Sequence, residues 1–282
     1  MPPYSFWYIF ATNGEDGFLL DLVSRPEESV ARLAVYHQGS PPRIVRHGFP
    51  PGSLSGVPGE LKAALNGVEL DAAGCRSALE NMSIDARFGL NGRSMRFVPA
   101  WVSWWFDNVP DFRSHYGTLE RANCEGATYA KAPMVCSTYS LGDLASARWV
   151  LISAPRFDSG DLAIEISAAR LLGRWMPTAW MFFGGREYKL NSGLDSLFRV
   201  RIGSAGVMED GQLVFTASLR APGMRVDVEA RGAVEQFARL ESERQTEIHT
   251  TLFGTCRASF KSGPPAGRTF TAERTCLLEL KN

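Results

Sequence analysis

The chain has 282 residues, 45% hydrophobic and 21% charged, with Lys plus Arg and Asp plus Glu balanced at 30 each. This is globular composition with enough apolar surface for a sizeable core, so wholesale disorder is excluded. The zero net charge removes the field that draws phosphate backbones, and no nucleic-acid partner is expected.

In chain order, period-two alternation predicts strands at 6–11, 17–23 and 31–37, the first pair joined through Asn13-Gly14. Residues 48–59, rich in Pro, Gly and Ser, read as a surface loop, and short helices are expected at 60–65 and 72–79. The clearest strand follows, with Met82, Ile84, Ala86, Phe88 and Leu90 alternating against Ser83, Asp85, Arg87 and Gly89, and Asn91-Gly92 reading as a turn. Further strands are expected at 148–154, 162–168, 179–183, 198–202, 213–219, 225–230, 247–252, 257–261 and 271–280. Asp158-Ser159-Gly160 and Glu209-Asp210-Gly211 punctuate them, and 233–243 reads equally as helix or strand. The pattern predicts an all-β fold of antiparallel barrel or sandwich modules with few short helices. Two modules are expected, 1–190 and 191–282. The seam is placed near 190–196, after the tryptophan-bearing part.

The five cysteines are odd in number and widely spaced, with no C-x-x-C pair, so neither a full disulfide framework nor a zinc site is expected. The start Met1-Pro2-Pro3-Tyr4 has no basic segment followed by an apolar core, and no run approaches the length of a membrane helix. Cytoplasmic residence and no membrane span are the expectations. No G-x-S-x-G, P-loop or G-x-G-x-x-G pattern is present, which disfavours covalent hydrolysis and nucleotide chemistry.

All seven tryptophans lie in the first 180 residues. Three fall in Trp101-Val102-Ser103-Trp104-Trp105, where a strand would carry indole on both faces. One face then packs on a core and the other lines a cavity, although a well-filled core uses the same residues. His115 stands in the polar segment Asp107–Gly117 that leads out of this cluster, where an acid or base would sit at the cavity rim. Glu165 points away from its apolar neighbours on its strand and is read as water-facing.

Three segments carry a family resemblance. Ser5-Phe6-Trp7-Tyr8-Ile9-Phe10-Ala11 with Asp16-Gly17-Phe18 resembles the first hairpin of the lipocalin-like superfamily of carotenoid 1,2-hydratase, tocopherol cyclase and the fungal decalin-forming Diels–Alderases. Ala147–Ile152 with Arg156–Asp161 is similar to that group's mid-chain hairpin, and Cys276–Asn282 to its ending. Hydratase-type members carry Asp-His-x-Trp-Gly before the mid-chain tryptophan strand. Here Val135–Leu144 has no histidine, so proton-initiated chemistry on that motif is not implied.

The resemblance implies a cofactor-free pericyclase of the Diels–Alderase kind, holding a hydrophobic polyene, polyketide or terpenoid-type substrate. Trp101, Trp105, Tyr116, Trp149 and Trp180 would wall the pocket, with His115, Asp107 and Tyr139 as the catalytic polar groups and no metal. A non-catalytic carrier of a hydrophobic metabolite is the alternative. So is a cofactor-free hydratase or isomerase with His115 or Asp107 as acid or base.

Overall fold

The computed structural model describes residues 5–57, 60–96, 111–124, 127–129, 132–140, 148–171, 173–190, 199–241 and 247–281. Trp101, Trp105 and Asp107 lie outside them. The described residues are nearly all β, in two antiparallel sheets.

The first sheet is built from β1 (Ser5–Thr12), β2 (Asp16–Ser24), β3 (Ser29–His37), β4 (Arg43–Phe49), β5 (Ser55–Gly56) and β6 (Lys62–Leu65). It continues with β7 (Val68–Asp71), β8 (Gly74–Leu79), β9 (Met82–Arg96), β10 (Asp111–Cys124), β11 (Ala127–Tyr129) and β12 (Pro133–Ser140). Its order is β4-β3-β2-β1-β12-β10-β9-β8-β7-β6-β5, with β11 paired to β10. The sheet curls so that β3 and β4 approach β8. Alternate residues of the strands fill its interior, among them Trp7, Ile9, Phe18, Leu20, Leu33, Ile84 and Leu119. Each large apolar side chain buried this way contributes about 1.5–3 kcal/mol.

The second sheet is built from β13 (Arg148–Ala154), β14 (Leu162–Leu171), β15 (Arg174–Phe183), β16 (Arg186–Lys189) and β17 (Val200–Glu209). It is completed by β18 (Gln212–Ala221), β19 (Met224–Ala233), β20 (Ala238–Glu241), β21 (Glu247–Ser262) and β22 (Thr269–Lys281). Its order is β16-β15-β14-β13-β22-β21-β19-β18-β17, with β20 on β21. The sheet curls so that β15 meets the end strand β17. The core here takes Ile152, Ile164, Phe215, Val226, Phe260 and Leu278.

The chain divides into two compact units, Met1–His37 with Pro42–Ala145, and Gln38–Pro41 with Ser146–Asn282. The seam expected at 190–196 is therefore misplaced, because β13 to β16 share one sheet with the strands that follow. The pairing responsible is β13 with β22, which sets Val150 opposite Leu280.

The short helices expected at 60–65 and 72–79 are strands. In β8 the buried positions are Cys75, Ser77 and Leu79, a period of two that outweighs the helix propensity of the alanines. The ambiguous 233–243 resolves into a 3-10 turn at Val234–Gln236 followed by β20. Asn13 makes the expected hairpin turn, its Oδ1 accepting from the amides of Glu15 and Asp16 at 2.9 and 2.7 Å.

Candidate functional site

The segment 111–117, read as part of a polar loop, is the start of β10. Strands β1, β12 and β10 run side by side, and the register places Ile9 opposite Cys136 and Cys136 opposite His115. Residues opposite one another across a ladder share a sheet face. His115 therefore lies on the face of Trp7 and Ile9 that bears the first core. Arg113, in line with Thr138 and Trp7, shares that face.

Local irregularity sets the geometry here. β9 pairs Ser94 with His115 but Leu90 with Gly117, so four residue steps on β9 face two on β10. Asn91-Gly92, expected to be a turn, is the bulge that absorbs the difference, with Gly92 at φ 75° and the Arg93 amide donating to Asn91 Oδ1 at 2.9 Å. Gly117 is required beside it, because a Cβ there would stand 2.6 Å from the Gly89 carbonyl oxygen. Bulges of this kind re-aim side chains and concentrate next to functional sites.

His115 is half-buried, and its Nε2 is closed off from solvent without a hydrogen-bond partner among the described residues. Burial first, and the charge of Arg113 second, lower its pKa from the ordinary histidine value. The ring is neutral at pH 7. Tyr129 Oη, Ser77 Oγ and Ser5 Oγ on this interior face are likewise buried without a partner among the described residues. Burial pushes the Tyr129 phenol well above its usual range. A buried polar atom left unpaired costs about 1–3 kcal/mol.

Trp7 is wholly buried and donates its indole N–H to the Glu60 carbonyl at 3.0 Å. This ring, together with Arg113 and the bulge, is what the sequence reading left out of the site. The alternation of Arg113 and His115 was the available signal.

Within the same sheet, the register positions of Tyr116 and Tyr139 alternate with that of His115. Tyr116, 3% exposed, pairs with Val135 and through it lines up with Phe10, which puts it on the opposite sheet face. That face also carries Phe6, Tyr8 and Phe10, stacked at 6.2 Å centroid spacings. Tyr139 lines up with Phe6 and Phe112, three residues along β12 from Cys136, so its register position is also the alternate one.

Trp149 and Trp180 belong to the second sheet and sit on its face away from the core. Their indole N–H groups are committed to carboxylates, Glu279 Oε1 at 2.7 Å and Glu187 Oε1 at 2.8 Å. Lys281 Nζ lies 4.6 Å from the Trp149 ring centroid. The two tryptophans stand four residues and two strands apart, about 16 Å by strand geometry. Glu165, read as water-facing, is wholly buried opposite Trp180 in register, with Ser153 Oγ donating to its Oε2 at 3.3 Å. A buried carboxylate needs such partners, and no local sequence signal announces them.

Among the described residues, no three His, Cys, Asp or Glu side chains gather as metal ligands, and no helix is long and apolar enough to cross a membrane.

No family model and no curated protein matches this chain. Solved structures do. An AttH protein of Nitrosomonas europaea superposes with a TM-score of 0.62 at 11% identity, over 99% of this chain and 92% of that one. CghA, solved with Sch210972, gives 0.60 at 8% identity over 99% and 89%. Kievitone hydratase from Nectria haematococca gives 0.56 at 12% identity over 98% and 88%. The fold is lipocalin-like. At these identities the lipocalin-like fold is what the three structures share with this chain, and the chemistry rests on its own residues.

Proposed function

We propose that the protein is a cofactor-free cyclase of the pericyclase kind, holding a hydrophobic polyene inside the first unit with His115 polarising a substrate carbonyl. The observation that carries this reading is the half-buried, neutral imidazole whose Nε2 has no hydrogen-bond partner among the described residues, on the face that bears the first core. A neutral ring with its proton on Nε2 presents that proton to a carbonyl without giving it away. The lowered pKa makes His115 a poor source of protons at pH 7, which weighs against hydration begun by protonating an alkene. Structures of this fold include a hydratase and a protein solved with a small molecule, which supports small-molecule work on this scaffold.

The energetics suit that division of labour. Folding one chain so that its reacting ends meet supplies up to about 7–11 kcal/mol. A single donor aimed at developing charge in a water-poor site adds about 2.7–4 kcal/mol.

The test uses a linear polyene bearing a carbonyl-activated alkene that cyclises slowly on its own. The reading predicts a faster, stereochemically biased cyclisation whose rate is flat from about pH 7 to 9. His115→Ala should lower kcat about 100-fold, while His115→Gln, which keeps a donor, retains much of it. Binding without any change in rate or product ratio would leave a carrier and end the cyclase reading. A rate falling tenfold per pH unit above neutrality would transfer the role to an acid.

A further inference from the structure

The outer face of the second sheet holds a concavity of about 870 Å³ over β17, β18, β19, β21 and β22. The pleat sends Phe215, Leu219, Val226 and Phe260 into the core and leaves their polar neighbours on this face. Arg201, Arg220, Arg225, Arg257 and Lys261 line it against only two carboxylates, Asp227 and Glu229. That concentration arises in a chain whose overall charge is zero.

Both carboxylates are already engaged. Asp227 is shared by Arg225 Nε at 3.6 Å and Lys261 Nζ at 3.9 Å. Glu229 accepts from Arg231 Nε at 2.8 Å, although Arg257 stands directly opposite it in register. Arg201, Arg220 and Arg257 then have no ion pair or hydrogen bond among the described residues. Arg220 also stands directly opposite Arg225. Like charges facing each other across a ladder are destabilising, so the empty fold gains nothing from this placement. An anion between them converts the repulsion into charge-assisted hydrogen bonds.

Arg201 on β17 and Arg257 on β21 are three strand spacings and two residues apart, about 16 Å. Guanidiniums converging from that distance fit a ligand with several anionic groups in a row rather than one carboxylate. The hydroxyl residues Thr216, Ser218 and Ser259 line the groove between them. The volume matches small-molecule sites, which run to about 300–1,000 Å³. Guanidinium forks match phosphate oxygens two at a time.

We propose that this groove binds a small phosphate-rich anion, a di- or triphosphate group, independently of the cyclase site in the first unit. Calorimetry of the full chain with inorganic tripolyphosphate tests it. Saturable 1:1 binding with a Kd below about 1 mM is expected, weakening as salt rises. Arg220→Gln with Arg257→Gln should weaken it at least about tenfold. Arg76→Gln, an exposed arginine of the first unit paired with Asp85 at 3.6 Å, should leave it unchanged. Because the repulsion between Arg220 and Arg225 is removed, unliganded Arg220→Gln alone should melt at or above the wild-type temperature. Absence of saturable binding, an equal loss in Arg76→Gln, or a lower melting temperature of Arg220→Gln would each overturn the proposal. So would citrate binding as tightly as tripolyphosphate, or single-stranded RNA binding where tripolyphosphate does not.

Discussion

The buried ion pair of the first unit offers a sharp test of how that sheet is held. Asp21 on β2 faces Arg32 on β3 in register, with side chains only 6% and 7% exposed. Arg32 Nη2 lies 2.8 Å from Asp21 Oδ2, and Nε donates to the two carboxylate oxygens at 2.9 and 3.0 Å. Asp21→Asn keeps the shape and removes the counter-charge, leaving a guanidinium deprived of its carboxylate where water cannot replace it. Breaking a buried pair from one side costs about 3–5 kcal/mol, whereas replacing both partners by apolar groups is often neutral or stabilising. Urea unfolding followed by tryptophan fluorescence should therefore show a large loss for Asp21→Asn and for Arg32→Met. Asp21→Leu with Arg32→Met should be near wild type, with the slope against urea unchanged. A single-variant loss below about 1 kcal/mol, the range of surface pairs, would refute this account of the pair. So would a double variant no better than the singles.

Other consequences are as direct. Phe260 is 1% exposed and packs at 4.9 Å from Phe183 and 5.5 Å from Phe270, so Phe260→Ala should cost about 3–5 kcal/mol in denaturant titration. Cys75, Cys124, Cys256 and Cys276 are free and buried, and burial pushes the Cys75 and Cys276 thiols far up. Of the five cysteines, no more than one should react with a thiol reagent in the native protein, and all five should react in guanidinium. The lowered pKa of His115 has a defined sign in stability. As pH falls through the unfolded value near 6.5, the unfolded chain takes up a proton that the folded chain resists, so stability present above that pH is lost below it. Wild type should therefore lose more stability than His115→Gln between pH 7 and 5, and equal losses would contradict the burial argument.

How much of this was written in the sequence depends on the range of the interaction. Met82 to Phe88 alternate buried and exposed as their pattern demands, and the all-β class follows from many such runs. Where propensity and pairing disagree, pairing wins. The alanine-containing 72–79 lies between β7 and β9 and is extended. Asn91-Gly92 has turn chemistry, yet the strand continues past it because β10 supplies partners on both sides. The module seam was misplaced because tryptophan distribution carries no information about β13 meeting β22, a pairing across more than a hundred residues. The same distance hides the partner of Trp149, whose indole is held by Glu279. His115 was legible as a candidate from its rarity and position. Its separation from Tyr116 by a strand's pleat was not, since 111–117 read as loop.

The central claim is a neutral His115 whose Nε2, unpartnered among the described residues, donates to a bound carbonyl. Nitrogen-15 NMR of imidazole-labelled protein, titrated in pH with and without the carbonyl-bearing polyene, tests it most directly. The account predicts that His115 titrates below the ordinary 6.5, is neutral at pH 7, and shifts at Nε2 when the polyene is added. Titration at or above that value, or an Nε2 signal indifferent to a bound polyene, would contradict it.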